Sequence, residues 1–434
     1  MTTNELVTPS GIALVKLIYS PISYHFLVDN PINDQNHPRG GFLVEKAIPA
    51  IIGNRIYMKI GLFTDAYFPQ VNGVATTVEE LKNSLIKREH KVSVITSQYP
   101  KYKDKDKNVL RLRSVKLWNN PELRVSYMFP DRILQRVLRL NVDLIHGFSG
   151  GAIPSLGLTL AKIKRKPYVF TYNTRWNKYT HYILNGKIIR PKAMERMVRI
   201  YCNVCDHIIA PAQYVKEELI SFGVKKPITV IPNGINTNKF KPAKSNDLKK
   251  QMGLKKNDQV ILCVARLAKE KSLDFLIKSF SEFSKTNPNV YFAIAGDGPE
   301  KENLEKLIKS LKIKNKIHML GCVKYDDIPQ VYNGADVFVF ASQTETEGMV
   351  VLEAMSSGLP VLVVKDRVFE QFIEHRKDGI LVEKDETEFS QNLDKLLKDE
   401  ELRATIGANA RIKAEQFSLD EVAKKFDNLY KQLV

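Results

Sequence analysis

The sequence predicts an α/β protein made of two doubly wound domains that face each other across a cleft. From Met58 onward, short and nearly continuous apolar runs alternate with amphipathic stretches, a pattern typical of parallel strands covered by helices on both faces. The alternation occurs in two series, which a segment rich in Asn, Pro, Gly and Lys separates at residues 230–256. At 434 residues the chain is long enough for two such domains.

Three regions follow from this division. We expect residues 1–57 to form a poorly ordered extension, because the stretch is rich in turn residues and its apolar patches lack a clear period. Met58 is a candidate start of the functional protein, since the buried-strand pattern begins there. Residues 58–240 form the predicted N-terminal domain, and residues 241–434 form the predicted C-terminal domain.

The predicted strands are runs of Val, Ile, Leu and Phe bounded by polar or turn residues. In the two domains they cover residues 59–64, 91–97, 142–149, 167–173, 206–212, 259–267, 290–298, 316–323, 337–343 and 359–365. An amphipathic helix is predicted for residues 419–434. Ligands of such sheets bind beyond the carboxyl ends of the strands, so the residues that follow each strand are the candidates for a site.

Positive charge is concentrated between residues 101 and 139, within a chain whose net charge is +18. Arg132, Arg136 and Arg139 recur there at helical spacing, which predicts a basic amphipathic helix on an anionic membrane surface. The alternative is a helix that packs on the core and carries a solvated basic rim. No uncharged apolar run of about eighteen residues occurs, so membrane contact should be peripheral. No recognition motif supports nucleic acid as a partner.

Two cations follow the strand at 259–267 and precede a helix. Arg266 and Lys271 are candidates for holding a diphosphate, whose charge grows when it departs and must be neutralised by a metal or by fixed cations. The sequence offers no acidic pair for Mg²⁺, so we expect neither a metal nor another cofactor. Surface pairing with nearby acids is the alternative. Cys202 and Cys205 have no second pair at zinc spacing and are predicted to be core thiols.

Two glutamates flank a glycine in "TETEGMVVLEAM", residues 344–355. The predicted helix begins at about Gly348, so the amides of Gly348, Met349 and Val350 are predicted to be free to bind an anion. Helical side chains lean towards the N-terminus, so Glu353 would point back at the ligand and accept both hydrogens of a ribose diol. Glu345, before the helix, would face the sugar. The alternative interpretation is that both glutamates are ordinary solvated carboxylates on the protein surface.

Glycines mark two further turns at the predicted cleft. Gly73 opens a helix after the first strand, where the backbone can approach a phosphate or sugar. Gly296 and Gly298 lie at the end of the strand predicted at 290–298. They allow a tight turn at the rim of the cleft, for which a purely structural role is at least as good an explanation as contact with a ligand. Glu347, between the two glutamates of the previous motif, receives no role.

Taken in this order, the motifs resemble those of family-4 retaining glycosyltransferases with the GT-B fold. The stretches that carry the resemblance are "YFPQVNGVATTV", "PNGINTNKF", "RLAKEKSLDFLI", "AGDGP" and the Glu-x7-Glu of "ETEGMVVLE". Within that family, "TETEGMVVLEAMSSGLPV" and "YTHYI" look most like bacterial 1,2-diacylglycerol 3-glucosyltransferases. The resemblance extends from Met58 to the C-terminus.

The resemblance implies a transfer of sugar from a nucleotide sugar with retention at the anomeric carbon and without a required metal. Arg266 and Lys271 match the diphosphate-binding pair, and Glu353 matches the ribose-binding glutamate. Glu345 matches the glutamate beside the sugar. Gly348 to Val350 match the amides that hold the donor, and Gly73 matches the glycine loop near the phosphates.

One departure concerns the acceptor side. The lipid-glucosylating relatives usually carry His where Asn173 stands, and an acidic residue near Asn177 or Lys178. An amide side chain binds a hydroxyl but does not take its proton at neutral pH. His146, at the end of the strand at 142–149, is the other acceptor-side candidate, with a structural histidine as the alternative.

The leading hypothesis is a cytoplasmic enzyme, peripheral to the inner face of the cell membrane, that moves glucose from UDP-glucose to diacylglycerol or a related lipid. Two alternatives stay open: a glycosyltransferase with a different acceptor, and a catalytically silent lipid-binding relative. Asn173 motivates the silent relative, and the complete donor motif argues against it.

Overall fold

The structure is a computed structural model that describes residues 51–52, 55–70, 72–100, 102–117, 120–173 and 191–434. Its strands are β1 (Ile51–Ile52), β2 (Arg55–Ile56), β3 (Lys59–Thr64), β4 (Lys91–Ser97), β5 (Val109–Leu112), β6 (Ser114–Leu117), β7 (Asn120–Ser126), β8 (Leu144–Phe148), β9 (Tyr168–Thr171), β10 (His207–Ala210), β11 (Ile228–Val230), β12 (Gln259–Val264), β13 (Val290–Ala295), β14 (Ile317–Gly321), β15 (Val337–Phe340), β16 (Val361–Val364) and β17 (Ile380–Val382). Its helices are α1 (Gly73–Lys87), α2 (Arg132–Leu138), α3 (Ala152–Lys164), α4 (Pro191–Val204), α5 (Gln213–Ser221), α6 (Asp247–Gln251), α7 (Leu273–Ser284), α8 (Lys301–Ser310), α9 (Ile328–Asn333), α10 (Met349–Ser356), α11 (Glu386–Lys398), α12 (Glu400–Glu415) and α13 (Leu419–Leu433).

The N-terminal half is built on a seven-stranded parallel sheet with the strand order β11-β10-β9-β8-β3-β4-β5. Its five predicted strands are confirmed. Apolar residues of α1 and α13 cover one face, and residues of α2, α3 and α4 cover the other. Burial on both faces explains why these strands read as continuous apolar runs in the sequence.

The C-terminal half is built on a six-stranded parallel sheet with the order β14-β13-β12-β15-β16-β17. All five strands predicted for it are confirmed. Strand β12 lies between β13 and β15, so the loops that follow β12 and β15 emerge side by side at the carboxyl edge. This neighbourhood decides which side chains meet in the site.

The chain passes between the two halves twice, through residues 231–241 and 415–419, here called the first and second crossovers. The crossovers bind each other, because Ile235 N donates to Phe417 O at 2.8 Å and Leu419 N donates to Ile235 O at 3.0 Å. The second crossover leads into the predicted terminal helix, α13, which returns to the N-terminal sheet. There Arg88 Nη2 lies 2.9 Å from Asp420 Oδ1.

Strands β5, β6, β7, β11 and β17 were not predicted. β5 lies at the edge of the first sheet, and β6 and β7 form a separate antiparallel pair, so none of these three has the apolar run of a central strand. β11 and β17 are edge strands of three residues each. The extension expected at residues 1–57 lies largely outside the described residues. Within the described ranges, no helix is both long enough and apolar enough to cross a bilayer.

Candidate active site

The loops after β12 and β15 bring a cation and a carboxylate together. Lys271 lies in a single 3₁₀ turn, and its Nζ forms an ion pair with Oε1 of Glu345. Only 19% of the Lys271 side chain and 16% of the Glu345 side chain are exposed. Two members of the predicted donor site therefore meet, although they are 74 positions apart.

The N-terminal half reaches the same loop from the opposite side. The hydroxyl of Tyr214, in α5, donates to the backbone oxygen of Glu345 at 2.7 Å. One residue earlier, Gln213 N donates to Oε1 of Gln371 at 2.9 Å. The carboxyl edges of the two sheets therefore meet around Glu345, as the predicted cleft requires.

Helix α10 begins close to this junction, because its N-cap residue follows Glu345 by three positions. Gly348 is its N-cap residue and has a φ of +73°, which favours glycine, and a Cβ there would lie 2.4 Å from Cε1 of Phe369. The amides of Gly348, Met349 and Val350 donate to no group within the described ranges. The predicted helix start is confirmed, and its free amides form a candidate anion site.

Glu353 lies one turn into α10 and is bound by a tyrosine. Its Oε2 accepts a hydrogen bond of 2.8 Å from the hydroxyl of Tyr332, in α9. Burial raises the pKa of Glu353 to about 7, against the opposing effects of the Tyr332 hydrogen bond and the charge of Lys239. The carboxylate is thus poised between its two protonation states near neutral pH.

Tyr325 lies between β14 and α9, in the same half as Glu353, and within electrostatic reach of carboxylates from both halves. Burial raises the pKa of Tyr325, and the carboxylates of Glu353 in α10 and Glu80 in α1 raise it further. Helix α1 begins at Gly73, where an added Cβ would meet nothing within 4 Å. Packing within the protein therefore does not require glycine at this position.

Arg266 is exposed in the loop after β12. Two glycines allow a neighbouring turn to press against this loop, because added Cβ atoms would lie 1.8 Å from Ala265 O at Gly296 and 2.4 Å from Leu267 O at Gly298. Leu267 N also donates to Asp297 O at 3.0 Å. The "AGDGP" turn therefore supports the Arg266 loop through the protein's own backbone.

The N-terminal half contains buried polar atoms to which the described residues offer no hydrogen-bond partner. Asn173 follows β9 and is 8% exposed, yet neither Oδ1 nor Nδ2 has a hydrogen-bond partner in the part of the chain that the structure describes. Asp65 follows β3, and its Oδ2 likewise has no hydrogen-bond partner among the described residues. Burial raises the pKa of this carboxyl to about 7. Asn177 and Lys178 lie outside the described residues.

The expected acceptor-side role of His146 does not fit its position. The ring is fully buried between Tyr430 of α13 and Thr171 of β9, at 2.6 Å from each hydroxyl. Burial lowers its pKa to about 3. Helix α13 covers the ring, so His146 is a structural histidine that faces the core instead of the cleft.

The basic helix α2 also departs from expectation. Val137 is fully buried, and Ile133 and Leu134 pack partly against the core, so the apolar side of the helix faces inward. Leu138 is the exception, with 44% exposure. The apolar face of α2 therefore packs on the protein core, as the alternative prediction stated, and does not face a membrane.

The arginines themselves remain on the surface. Arg132, Arg136 and Arg139 are exposed and line one depression together with Leu110 and Leu140. Their guanidinium groups therefore remain accessible to an anionic surface.

Exposed apolar side chains lie in the loop that precedes α2. Tyr127, Met128 and Phe129 are 44%, 59% and 44% exposed, and the Arg113 guanidinium stacks 4.3 Å above the Phe129 ring. A combined basic and apolar surface thus exists, but its apolar part comes from the 127–129 loop.

Several contributors gave no signal in the sequence. Tyr332, Tyr214 and Lys239 act on the predicted glutamates from distant elements, and no local pattern marks them.

Cys202 and Cys205 are buried free thiols, as predicted, and burial raises the pKa of Cys202 to about 12. Across the described residues, no group of three or more His, Cys, Asp and Glu side chains is arranged to hold a metal ion.

Comparisons with known proteins identify two family matches. Residues 71–239 match the model described as Glycosyltransferase Family 4, and residues 244–413 match that of Glycosyl transferases group 1. Two relatives are both named alpha-monoglucosyldiacylglycerol synthase. The one from Acholeplasma laidlawii is 34% identical over 87% of this chain and 98% of that protein. The one from Streptococcus pneumoniae is 31% identical over 75% of each.

Among solved structures, Anabaena Alr3699/HepE in complex with UDP and glucose is similar to this chain with a TM-score of 0.68. The sequence identity is 21%, and the match covers 87% of this chain and all of that one. The sucrose-phosphate synthase from Thermosynechococcus elongatus gives the same TM-score at 19% identity, over 86% of this chain and 98% of that chain.

Proposed function

This chain belongs to the glycosyltransferase family defined by Glycosyltransferase Family 4 and Glycosyl transferases group 1, with the GT-B fold, and on that premise we propose that it glucosylates a lipid. The proposed donor is UDP-glucose, and the proposed acceptor is the hydroxyl of diacylglycerol or a related lipid at a membrane surface. The observation that carries the proposal is the meeting of Lys271, Glu345 and the free amides of α10 at the cleft. The two synthases of monoglucosyldiacylglycerol among the relatives support the acceptor class.

On the donor side, the diphosphate binds to Arg266, Lys271 and the amides of Gly348 to Val350. These groups neutralise the charge that grows on the departing phosphate, so the proposal includes no metal. The diphosphate competes for the ammonium group of Lys271, which pairs with Glu345. Glu345 is then released to accept a hydrogen bond from the sugar, and Glu353 accepts from the ribose.

The proposed reaction keeps the configuration at the anomeric carbon. The acceptor oxygen attacks C1 on the face from which UDP departs, the bond between C1 and the β-phosphate oxygen breaks, and that phosphate takes the hydroxyl proton. A side-chain base is not required for this proton balance. Asn173 orients the acceptor hydroxyl by hydrogen bonding. Its two polar side-chain atoms have no hydrogen-bond partner among the described residues, which supports this role.

We expect the affinity for UDP to rise as the pH increases through about 7, because the pKa of Glu353 lies there and only the carboxylate accepts both hydrogens of the diol. Glu353→Gln should weaken UDP binding by roughly tenfold to a hundredfold, as expected for hydrogen bonds to a charged group. Calorimetry at pH 6, 7 and 8 measures both effects.

The ratio of the wild-type and Glu353→Gln affinities removes the titration of UDP itself from this comparison. A constant ratio across the three pH values would contradict the role of the Glu353 carboxylate. Tyr332→Phe is a useful third variant, because it removes the hydroxyl that lowers the pKa of Glu353. We expect this variant to shift the rise in affinity to higher pH.

At the membrane, the arginines of α2 provide attraction to anionic lipid and the 127–129 loop provides apolar contact. Each cation near such a surface contributes about 1 kcal/mol, so Arg132→Gln with Arg136→Gln should weaken binding to phosphatidylglycerol vesicles by about thirtyfold. Vesicle sedimentation at low salt measures this affinity. We propose accordingly that the protein is cytoplasmic and peripheral to the inner face of the cell membrane.

The matched control removes two cations elsewhere. Lys306→Gln with Lys309→Gln, on exposed positions of α8, changes the net charge equally and should leave vesicle binding within about twofold of the wild type. Equal losses for both pairs would mean that net charge, and not this surface, drives the binding.

Incubation with UDP-glucose and vesicles that contain diacylglycerol tests the proposed function. A glucolipid whose linkage retains the configuration of the donor supports it. UDP release without a glucolipid favours a different acceptor, and UDP binding without turnover on any acceptor favours a silent lipid-binding relative. Asn173 in place of histidine is the observation that keeps the silent relative as a second candidate.

A further inference from the structure

Glu347 is a buried carboxyl group for which the proposed reaction has no use. It lies between Glu345 and Gly348 in the loop from β15 to α10, and it is 4% exposed. Its Oε2 accepts a hydrogen bond of 3.0 Å from the backbone amide of Asn233. Asn233 belongs to the first crossover, so this bond joins the donor loop to the segment that connects the two halves.

Four contacts hold the donor loop over the four residues from Glu345 to Gly348. Tyr214 binds the backbone oxygen of Glu345, and the amide of Asn233 binds the side chain of Glu347. Phe369 packs against Gly348, and Lys271 pairs with the side chain of Glu345. The first two contacts come from the N-terminal half and the first crossover, and of these two the Glu347 contact is the one that a side chain of the loop supplies.

We propose that Glu347 is a positioning residue that, as an uncharged acid, fixes the loop carrying Glu345 and Gly348 to the first crossover. The proposal rests on the proposed function in so far as it assigns Glu345 to the donor sugar. The effect of Glu347 on the reaction is indirect, because its side chain contacts the crossover.

The surroundings of Glu347 favour the neutral form. Its Oε1 has no hydrogen-bond partner among the described residues, so a charge there would be poorly compensated. The contact made by the Glu347 carboxyl itself comes from Asn233, and Tyr214 and Phe369, which contact the neighbouring loop residues, are uncharged. The cation at this loop is Lys271, and it pairs with Glu345. The charged groups of the loop itself are Glu345, which Lys271 neutralises, and, on α10, Glu353.

Burial therefore raises the pKa of Glu347 to about 8, and the hydrogen bonds from Asn233 only partly oppose this rise. In the unfolded chain the same group titrates at about 4.5. Between these values the folded protein holds a proton that the unfolded chain has lost, so the free energy of unfolding decreases as the pH rises from about 4.5 to about 8. Above about pH 8 this contribution levels off.

Thermal unfolding of the full chain and of Glu347→Gln at pH 5, 6, 7 and 8 tests the protonation. Gln keeps the carbonyl acceptor for Asn233 and cannot ionise, so the variant should gain stability relative to the wild type as the pH rises. Glu353 and Asp65 titrate in both proteins and cancel in the difference. Parallel curves for the two proteins would overturn the proposal that Glu347 is held uncharged.

Glu305→Gln is the control for this experiment, because Glu305 is exposed on α8. Its curve should follow that of the wild type. Neither protein needs a substrate for this measurement, so a failure of the proposed lipid glucosylation does not affect the result.

Kinetics test the positioning. At pH 7, Glu347→Gln should keep kcat within about twofold, whereas Glu347→Ala should lower kcat roughly tenfold or more, because a displacement of about 1 Å can cost about a hundredfold. The Kd for UDP should change less than kcat in Glu347→Ala. Above pH 8 the wild type should lose activity that Glu347→Gln retains.

Equal losses in Gln and Ala, or matching pH profiles of the wild type and Glu347→Gln, would contradict the positioning role. UDP release with any accepted sugar acceptor is a sufficient readout for kcat. A protein that binds UDP and shows the predicted stability difference, but makes no glucolipid, would refute the proposed acceptor while supporting the protonation of Glu347.

Discussion

Replacing Glu345 by Gln is expected to lower kcat by roughly a hundredfold to a thousandfold, the range found when one electrostatic contact to a transition state is removed. UDP affinity should change little, because the proposed contact is with the sugar. The variant keeps the backbone bond from Tyr214 and an oxygen that still accepts from Lys271, so the loop should stay in place. Initial rates and UDP calorimetry separate the two effects.

Glu270→Gln is the matched control for this experiment. Glu270 precedes Lys271 in the same 3₁₀ turn, and its backbone oxygen accepts a hydrogen bond of 3.3 Å from the Ser342 hydroxyl of the donor loop. Its kinetics should match those of the wild type. A Glu345→Gln enzyme with unchanged kcat would exclude a role for the carboxylate at the sugar.

The second large effect is expected for Lys271→Met. This variant loses the partly buried ammonium that we assign to the diphosphate, so kcat/KM for the nucleotide sugar should fall roughly a hundredfold to a thousandfold. UDP should also bind more weakly, in contrast to Glu345→Gln. Lys269→Met, at an exposed position of the same turn, should retain wild-type kinetics.

The double variant Lys271→Met with Glu345→Gln provides a further test. Because the two side chains form an ion pair, their effects should not be additive, with a coupling of about 0.5–3 kcal/mol. Additive losses would mean that the pair has no energetic consequence for donor binding. Thermal unfolding of each variant shows whether the fold tolerates the unpaired charge.

The sequence predicted the two sheets well because their strands are buried on both faces. Continuous apolar runs mark such strands, and ten of them could be located without the structure. The edge strand β5, the separate pair β6 and β7, and the three-residue edge strands β11 and β17 lack a run of this length and were missed. The start of α10 was also predicted correctly. Gly348 marks it, because this residue adopts a positive φ that few other residues tolerate.

The predictions for His146 and for the apolar side of α2 were wrong for one reason. The sequence around a side chain does not show which distant element will cover it. His146 ends a strand, as a site residue would, but α13 returns from 284 positions away to cover it. The apolar side of α2 has the same pattern whether a bilayer or a protein core receives it. The structure decides for the core, because Val137 is fully buried.

The sequence alone therefore determined the fold class and the start of α10, and it located the motif to which we assign the donor, because strand burial, helix starts and motif spacing are local properties. Only the tertiary structure decided which groups meet: Lys271 with Glu345, Tyr332 with Glu353 and Asn233 with Glu347. Those contacts join separate elements across sheet edges and crossovers, and they set the charges and pKa values on which the proposed chemistry depends.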